Sequence, residues 1–575
     1  MQSFDFKDVT LEPGMLKSVL NETMSFYLNI PNDNIMKYMR ESAGLPAPGI
    51  HYSGWYVNSR GIFLIGQWLS AFSRMYAISG NEAFRDKALY LAEEFWRCQE
   101  GALEKAPLLT NRSHYDLDKL LRAHCDLFLY CGYEKARERA AYLVEFADRE
   151  LTRDNLFGDN STEWYTLSES FLDAYHILGI EEALPLAKRY EYREFWDLFY
   201  QDADPFSKRP VAGLYSEYCH AYSHVNSFSS CAASYAHSRD PYYLKALRTF
   251  YEFMQREEVM ATGGYGPNYE HLMPKYRIID ALRTGHDSFE TQCDSYAAYR
   301  LSKYLTCFTG EAQFGHWTES LLYNATAATI PMTEDGKVIY YSDYNMYGAR
   351  KINRQDGWTC CTGTRPLLVA EMQRLIYFEE NGDLFLSQYT PSSLTWRRNG
   401  DTIAVRQSTA FPESETVLLS LSMDAPAEFT LHLRMPRWLS GPMTLSCNGE
   451  PLETTVDKKG WLTVRRTWQD ADKLVITLPS SVWMHSFDPV KGGPNAFLHG
   501  PIVLAAEYTG LQTPNDWMDV QALTKKMRPV PGAPLHYSVE GRSDISFRPF
   551  YEVQENERYF LYHDTTAHAT KLHQE

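Results

Sequence analysis

The sequence predicts a closed ring of helical hairpins, an α/α toroid, followed by a β-sandwich. Three observations predict it. Helical hairpins recur through the first two-thirds of the 575 residues. The apolar spacing then changes, after residue 380, from three- and four-residue steps to strict alternation. Finally, the hairpins repeat irregularly, at about 50 to 70 residues, which is unlike a short-period solenoid.

The elements follow in order. Residues 1–20, with "SFDFKDVTLEPG", read as a strand segment that packs back onto the β-region. Residues 21–380 hold the hairpins. Stretches such as "GIFLIGQWLSAFSRMYAI" and "HYDLDKLLRAHCDLFLY" are first helices. "SGNEAFRDKALYLAEEFW", "CGYEKARERAAYLVEF", "LGIEEALPLAKRYEY", "SRDPYYLKALRTFYEFM" and "TGEAQFGHWTESLLYN" are turns with second helices. Glycine in most of these turns suits a helix C-cap. Five or six such pairs close a ring, with one helix of each pair lining the centre. Residues 381–485 alternate in "DTIAVRQSTAF", "ETVLLSLSMD", "EFTLHLRMP", "WLTVRRTW" and "DKLVITLP", between turns "RNGD", "CNGE" and "DKKG". This is the sandwich. Residues 486–575 form a second small β-unit or complete the first.

Composition narrows the function. A chain that is 44% hydrophobic, 14% aromatic and 22% charged is globular. A net charge of −17 lacks the basic footprint of nucleic-acid binding. No run approaches the ~20 apolar residues of a membrane span. "MQSFDFKDVTLEPG" is not a signal peptide. A cytoplasmic location is therefore expected, or a periplasmic or secreted one if a presequence has been removed. The ten cysteines follow no disulfide framework.

Three clusters carry chemistry, all in the helical part. "ATGGYGPNYEHLMP" (261–274) has a glycine turn ahead of Glu270 and His271. "HDSFETQCDSYAAYRL" (286–301) has Glu290 three residues before Cys293. "GWTCCTGT" (357–364) has the adjacent thiols Cys360 and Cys361. A lone cysteine on an apolar helix face is usually core, and a glutamate beside glycines is usually a solvated loop residue. Three cysteines and a carboxylate together have the donors of a tetrahedral zinc shell.

The ordered set "FDFKDVTLEPG", "GIFLIGQWLSAF", "CHAYSH", "TGG" before Glu270, "FETQC", "LLYN" before "YYSDY", "CCTGT", "LHLRMPRWL" and "CNG" resembles glycoside hydrolase family 127 and its relatives, the β-L-arabinofuranosidase family. The resemblance runs to about residue 510. It implies an (α/α)6 barrel followed by β-sandwich domains, and a zinc-dependent retaining glycosidase acting on plant-type glycans. It also implies roles: Cys293 as nucleophile, Glu270 as acid/base, and Glu290, Cys293, Cys360 and Cys361 as the Zn²⁺ ligands. His220 would contact the sugar.

The chain departs from the family pattern twice. Glutamate and cysteine are spaced Glu-x-x-Cys rather than Glu-x-Cys, and Asp118 stands where the family often has a sugar-contacting histidine. If the backbone at Glu290 is helical, carboxylate and thiol share a face. If it is extended, one swings away, the metal keeps an open position, and water could attack with inversion. Trp55 and Tyr341 are candidates for stacking on sugar, with core packing as the plain alternative. Rival readings are a glycosidase on another acidic or branched pectin sugar, a polysaccharide lyase, and a carbohydrate-binding protein with a structural zinc. A homodimer is compatible with all of them.

Overall fold

The structure is a computed structural model that describes residues 1–54, 61–102, 107–153, 163–206, 219–332, 338–352, 358–509 and 520–563. Six helices form an inner ring: Ile62–Ser79, His114–Asp126, Leu167–Leu178, Ala221–Ser238, Gln292–Thr309 and Cys360–Glu371. Each packs against the next, and the last against the first, so the ring closes. These inner helices are buried almost all round, as the center of a double ring requires; fourteen consecutive residues from Ile62 to Met75 are buried. The outer helices are amphipathic. Glu82–Glu100, Ala136–Glu150 and Pro241–Phe253 each bury one stripe and expose the other.

The hairpin turns use the left-handed backbone that glycine adopts without a Cβ clash. Gly80, Gly132, Gly179 and Gly310 all sit there. In the "SRDP" turn Arg239 takes that conformation instead, at φ 59°, and Asp240 caps the next helix. The first helix, Met15–Asn29, is the outer neighbour of the last inner one, Cys360–Glu371, so the two ends of the helical unit are joined.

The ring depends on close helix approach. A Cβ on Gly66 would lie 2.6 Å from both the carbonyl carbon and the Cβ of Lys119 on the neighbouring inner helix. Backbone cannot swing aside as a side chain can. Gly66→Ala is therefore expected to destabilise the protein by about 1–3 kcal/mol, as overpacking does. Urea unfolding at equilibrium measures it; an unchanged midpoint would mean the two helices can part freely.

After the ring come two sheets packed face to face. One has six strands in the order Gln2–Ser3, Tyr377–Glu380, Asp383–Leu386, Ala427–Arg434, Trp461–Trp468, Thr455–Val456. The other has seven, in the order Glu450–Pro451, Thr444–Cys447, Lys473–Thr477, Thr416–Met423, Asp401–Thr409, Ser392–Arg398, Val9–Leu11. Alternate burial along Asp401–Thr409 marks one wet and one dry face. Trp396 of one sheet meets Phe429 of the other edge-on, with ring centres 5.1 Å apart. A strand from the first eleven residues lies in each sheet, at Gln2–Ser3 and Val9–Leu11.

A third sheet of six strands, Val482–Ser486 to Arg542–Pro549, packs on the loops that precede the inner helices. Tyr562 accepts a hydrogen bond from the Ala261 backbone N–H at 2.8 Å, and Tyr559 donates to the Asp343 carbonyl. Both contacts fall on segments that carry the site. No helix of the described residues is long and apolar enough to cross a membrane.

Candidate active site

The site residues collect at one end of the ring, where the inner helices begin. Cys293 is in the first turn of its helix, Cys360 and Cys361 open theirs, and His220 caps a third. Helix N-termini present unpaired N–H groups and positive dipole ends, so this end favours negative charge.

The helix from Gln292 starts where Thr291 caps it. The Thr291 and Asp294 side chains form a reciprocal capping box. This puts Cys293 inside the ring, beside the helix that "CCTGT" opens. Cys293 Sγ lies 3.5 Å from Cys360 Sγ and 3.7 Å from Cys361 Sγ, and all three sulfurs fall within 4.8 Å of one another. Thr364 Oγ1 is 3.1 Å from Cys293 Sγ. Burial pushes all three thiols well above the usual thiol range. Cys293 and Cys361 are fully enclosed, whereas Cys360 is 7% exposed.

The carboxylate linked to this cluster by hydrogen bonds is Glu270. A two-residue bridge pairs His220 with His271 and Cys219 with Leu272, joining "CHAYSH" to the segment after the glycine turn. A second pairing, Phe289 with Ser342, brings in Tyr340 and Tyr341. Glu270 Oε2 accepts from the Tyr340 hydroxyl at 2.6 Å, and Glu270 Oε1 is 3.2 Å from Thr291 Oγ1. Cys360 Sγ is 3.6 Å from the same Tyr340 oxygen. One phenol thus touches both the thiol and the carboxylate. His220 Nδ1 faces the Ser223 backbone N–H at 3.4 Å and the Ser223 hydroxyl at 3.1 Å. A backbone N–H can only donate, so Nδ1 is the acceptor and Nε2 carries the proton. That nitrogen lies 3.9 Å from Glu270 Oε2.

Holding Glu270 there strains the chain. Asn268, Tyr269 and Glu270 all have positive φ, at 54°, 65° and 63°. Each non-glycine residue in this region costs about 1–2 kcal/mol, and such strain persists only where the surroundings impose it. Here Tyr269 N–H donates to the Ser288 carbonyl at 2.9 Å, and the Glu270 side chain is held from both oxygens.

Glu290 and Asp118 have other partners. Glu290 lies outside the group of three sulfurs that fall within 4.8 Å of one another. Its helix begins two residues later, and Thr291 is extended at φ −122° and ψ 169°, so Glu290 and Cys293 do not share a helical face. Glu290 instead accepts from Thr262 Oγ1 at 3.1 Å, under the third sheet. Burial raises its pKa to about 7. Gly264 makes room for it, since a Cβ there would fall 1.1 Å from Glu290 Oε2. Asp118 is buried, with its carboxylate bound to Lys119 Nζ at 2.6 Å and to the Ser170 hydroxyl. Lys119 and Arg122 offset its burial cost and hold its pKa low.

Of the other candidates, His220 and Tyr341 stand beside Glu270, and Trp55 lies outside the described residues. Sequence reading passed over Tyr340, Thr364 and Asp294. Thr364 had a signal, since it follows Cys360 by four residues on a helix. Asp294 had one too, as the fourth residue of a T-x-x-D capping pattern. Tyr340 had none: in "YYSDY" nothing tells which tyrosine turns inward.

Comparisons with known proteins agree on one family. The profile described as "Beta-L-arabinofuranosidase, GH127 catalytic domain" matches residues 8–374, well over half the chain. The GH127 middle-domain profile matches residues 383–480. A non-reducing end beta-L-arabinofuranosidase of Bifidobacterium longum subsp. longum is 25% identical over 234 residues, 37% of this chain. That match spans 35% of the relative's length, about a third. Among solved structures, a GH127 beta-L-arabinofuranosidase from Geobacillus stearothermophilus T6 superposes with a TM-score of 0.71 at 17% identity, covering 97% of this chain and all of that one. A second, a GH127 beta-arabinofuranosidase, gives 0.75 at 15% identity, covering 99% and 98%. At these identities the likeness to solved structures shows the shared fold.

Proposed function

The chain belongs to the GH127 β-L-arabinofuranosidase family, and from that premise we propose that it is a retaining exo-glycosidase that releases terminal β-L-arabinofuranosyl, or similar pentose, residues from plant-type glycans. The observation that carries the reading is the Tyr340 hydroxyl, which meets Cys360 on one side and Glu270 on the other. Nucleophile and acid/base thus face one small volume, as double displacement requires.

Zinc fits the three sulfurs. A tetrahedral ion with Zn–S bonds of about 2.3 Å holds its sulfurs about 3.8 Å apart, and Cys293 stands 3.5 and 3.7 Å from its two neighbours. Glu290 is not in the set, which leaves three protein ligands, the number of a catalytic rather than a closed structural zinc site. When bound, the ion would supply the positive charge that keeps the buried thiols ionised.

The chain's own residues then act as follows. Cys360 is the sulfur that reaches the open side, and we assign it the attack on the anomeric carbon; Cys293, which the sequence nominated, is enclosed behind it. As the C–S bond forms, the bond to the leaving oxygen breaks, and Glu270 gives that oxygen its proton. Glu270 then takes a proton from water. The water oxygen attacks the same carbon, the C–S bond breaks, and the thiolate returns. Two inversions give retention. His220 Nε2–H points to the same place and is suited to a sugar hydroxyl.

Protein purified without added metal is expected to contain about one zinc per chain by elemental analysis. Single serine substitutions at Cys293, Cys360 or Cys361 should each lower that content. Metal-free protein with full activity would remove zinc from the reading. A screen of synthetic glycosides, L-arabinofuranosides included, with and without chelator, tests the activity itself.

A further inference from the structure

The turn that delivers Glu270 also delivers Tyr269, and the two point opposite ways. Glu270 is 3% exposed, whereas Tyr269, one residue earlier, is 60% exposed. Tyr269 does not stand alone. Its ring centre lies 5.7 Å from that of Tyr341, at 84°, and Tyr341 lies 4.3 Å from Tyr340. Tyr340 in turn holds Glu270. Three rings therefore lead from the acid/base carboxylate out to solvent.

The direction of this path is informative. The group that protonates a leaving oxygen stands on the leaving-group side of the sugar being cleaved. Rings that continue outward from that group border the leaving group rather than the sugar that is attacked. An exposed aromatic ring gains from a flat partner that covers its face.

We propose that Tyr269 and Tyr341 form the leaving-group subsite, where they stack on the flat apolar face of a second sugar ring. This rests on the glycosidase reading above and adds to it that the preferred leaving group is itself a glycosyl residue.

The test compares two substrates that share a β-L-arabinofuranosyl group. One is the glycosyl fluoride, whose leaving group has no ring; the other is a disaccharide carrying the group on a second sugar. Tyr269→Ala is expected to lower kcat/KM on the disaccharide about tenfold more than on the fluoride, mainly through KM, as loss of one stacking contact would. Tyr269→Phe, which keeps the ring, should stay close to wild type on both. Tyr269→Gly is the second variant, because glycine accepts the left-handed backbone without strain and removes the ring without disturbing the turn. Equal losses on both substrates, or no loss on either, would overturn the subsite while leaving the glycosidase intact. A wild-type enzyme that cleaves neither substrate would overturn the β-L-arabinofuranosidase reading, and the subsite with it.

Discussion

Cys360→Ser is expected to lower turnover by about 10⁴-fold or more, the scale on which enzymes lose their nucleophile. Serine keeps the shape but has a hydroxyl that ionises far less readily than a thiol and binds zinc poorly. Loss of activity alone does not single out Cys360, because Cys293→Ser and Cys361→Ser disturb the same cluster. Two further measurements do. Acid-quenched enzyme should carry a sugar adduct on Cys360, located by tandem mass spectrometry. The first-formed sugar, followed by NMR, should keep its anomeric configuration. An adduct on Cys293 would return the attack to the residue nominated by the sequence. Inversion without an adduct would mean that water attacks, the outcome that goes with Glu290 lying away from the sulfurs.

Glu270→Gln is expected to cost about 10²–10⁴-fold in turnover, the range of general acid–base catalysis. The loss should shrink as the leaving group improves, because a good leaving group needs little protonation. Glutamine can still meet the Tyr340 hydroxyl and the Thr291 side chain, so the fold should hold. Melting curves check that. If every substrate suffers the same loss with the fold intact, the acid is another carboxylate.

Much of this architecture was legible in the sequence, and the boundary of legibility has physical causes. The ring could be read because amphipathic hairpins impose their period whatever surrounds them. The three cysteines could be read as a set because adjacent thiols are rare in cores. The setting of Glu290 was not legible, for a definable reason. Its role depended on where one helix starts, and Thr291 with Asp294 marks that start at Gln292. Read as a capping box, "TQCD" would have put Glu290 outside the helix. The two partners of Asp118, namely Lys119 and Ser170, were not legible because the second comes from the next inner helix. Which of three sulfurs faces outward is a matter of helix rotation and loop packing, and short-range pattern carries neither. The same holds for Tyr340 and Tyr341.

The way the ring closes bears on how the protein is made. The first helix, Met15–Asn29, has its inner neighbour at Cys360–Glu371. The strands at Gln2–Ser3 and Val9–Leu11 find theirs at Tyr377–Glu380 and Ser392–Arg398. The first helix and these two strands therefore leave the ribosome long before the segments they pack against. At about 5–20 residues per second, that wait lasts tens of seconds. During it the first helix lacks its main neighbour, and the ring cannot shut around its cysteines. The catalytic end is completed by closure, so it exists only once Cys360–Glu371 has docked between Gln292–Thr309 and Ile62–Ser79.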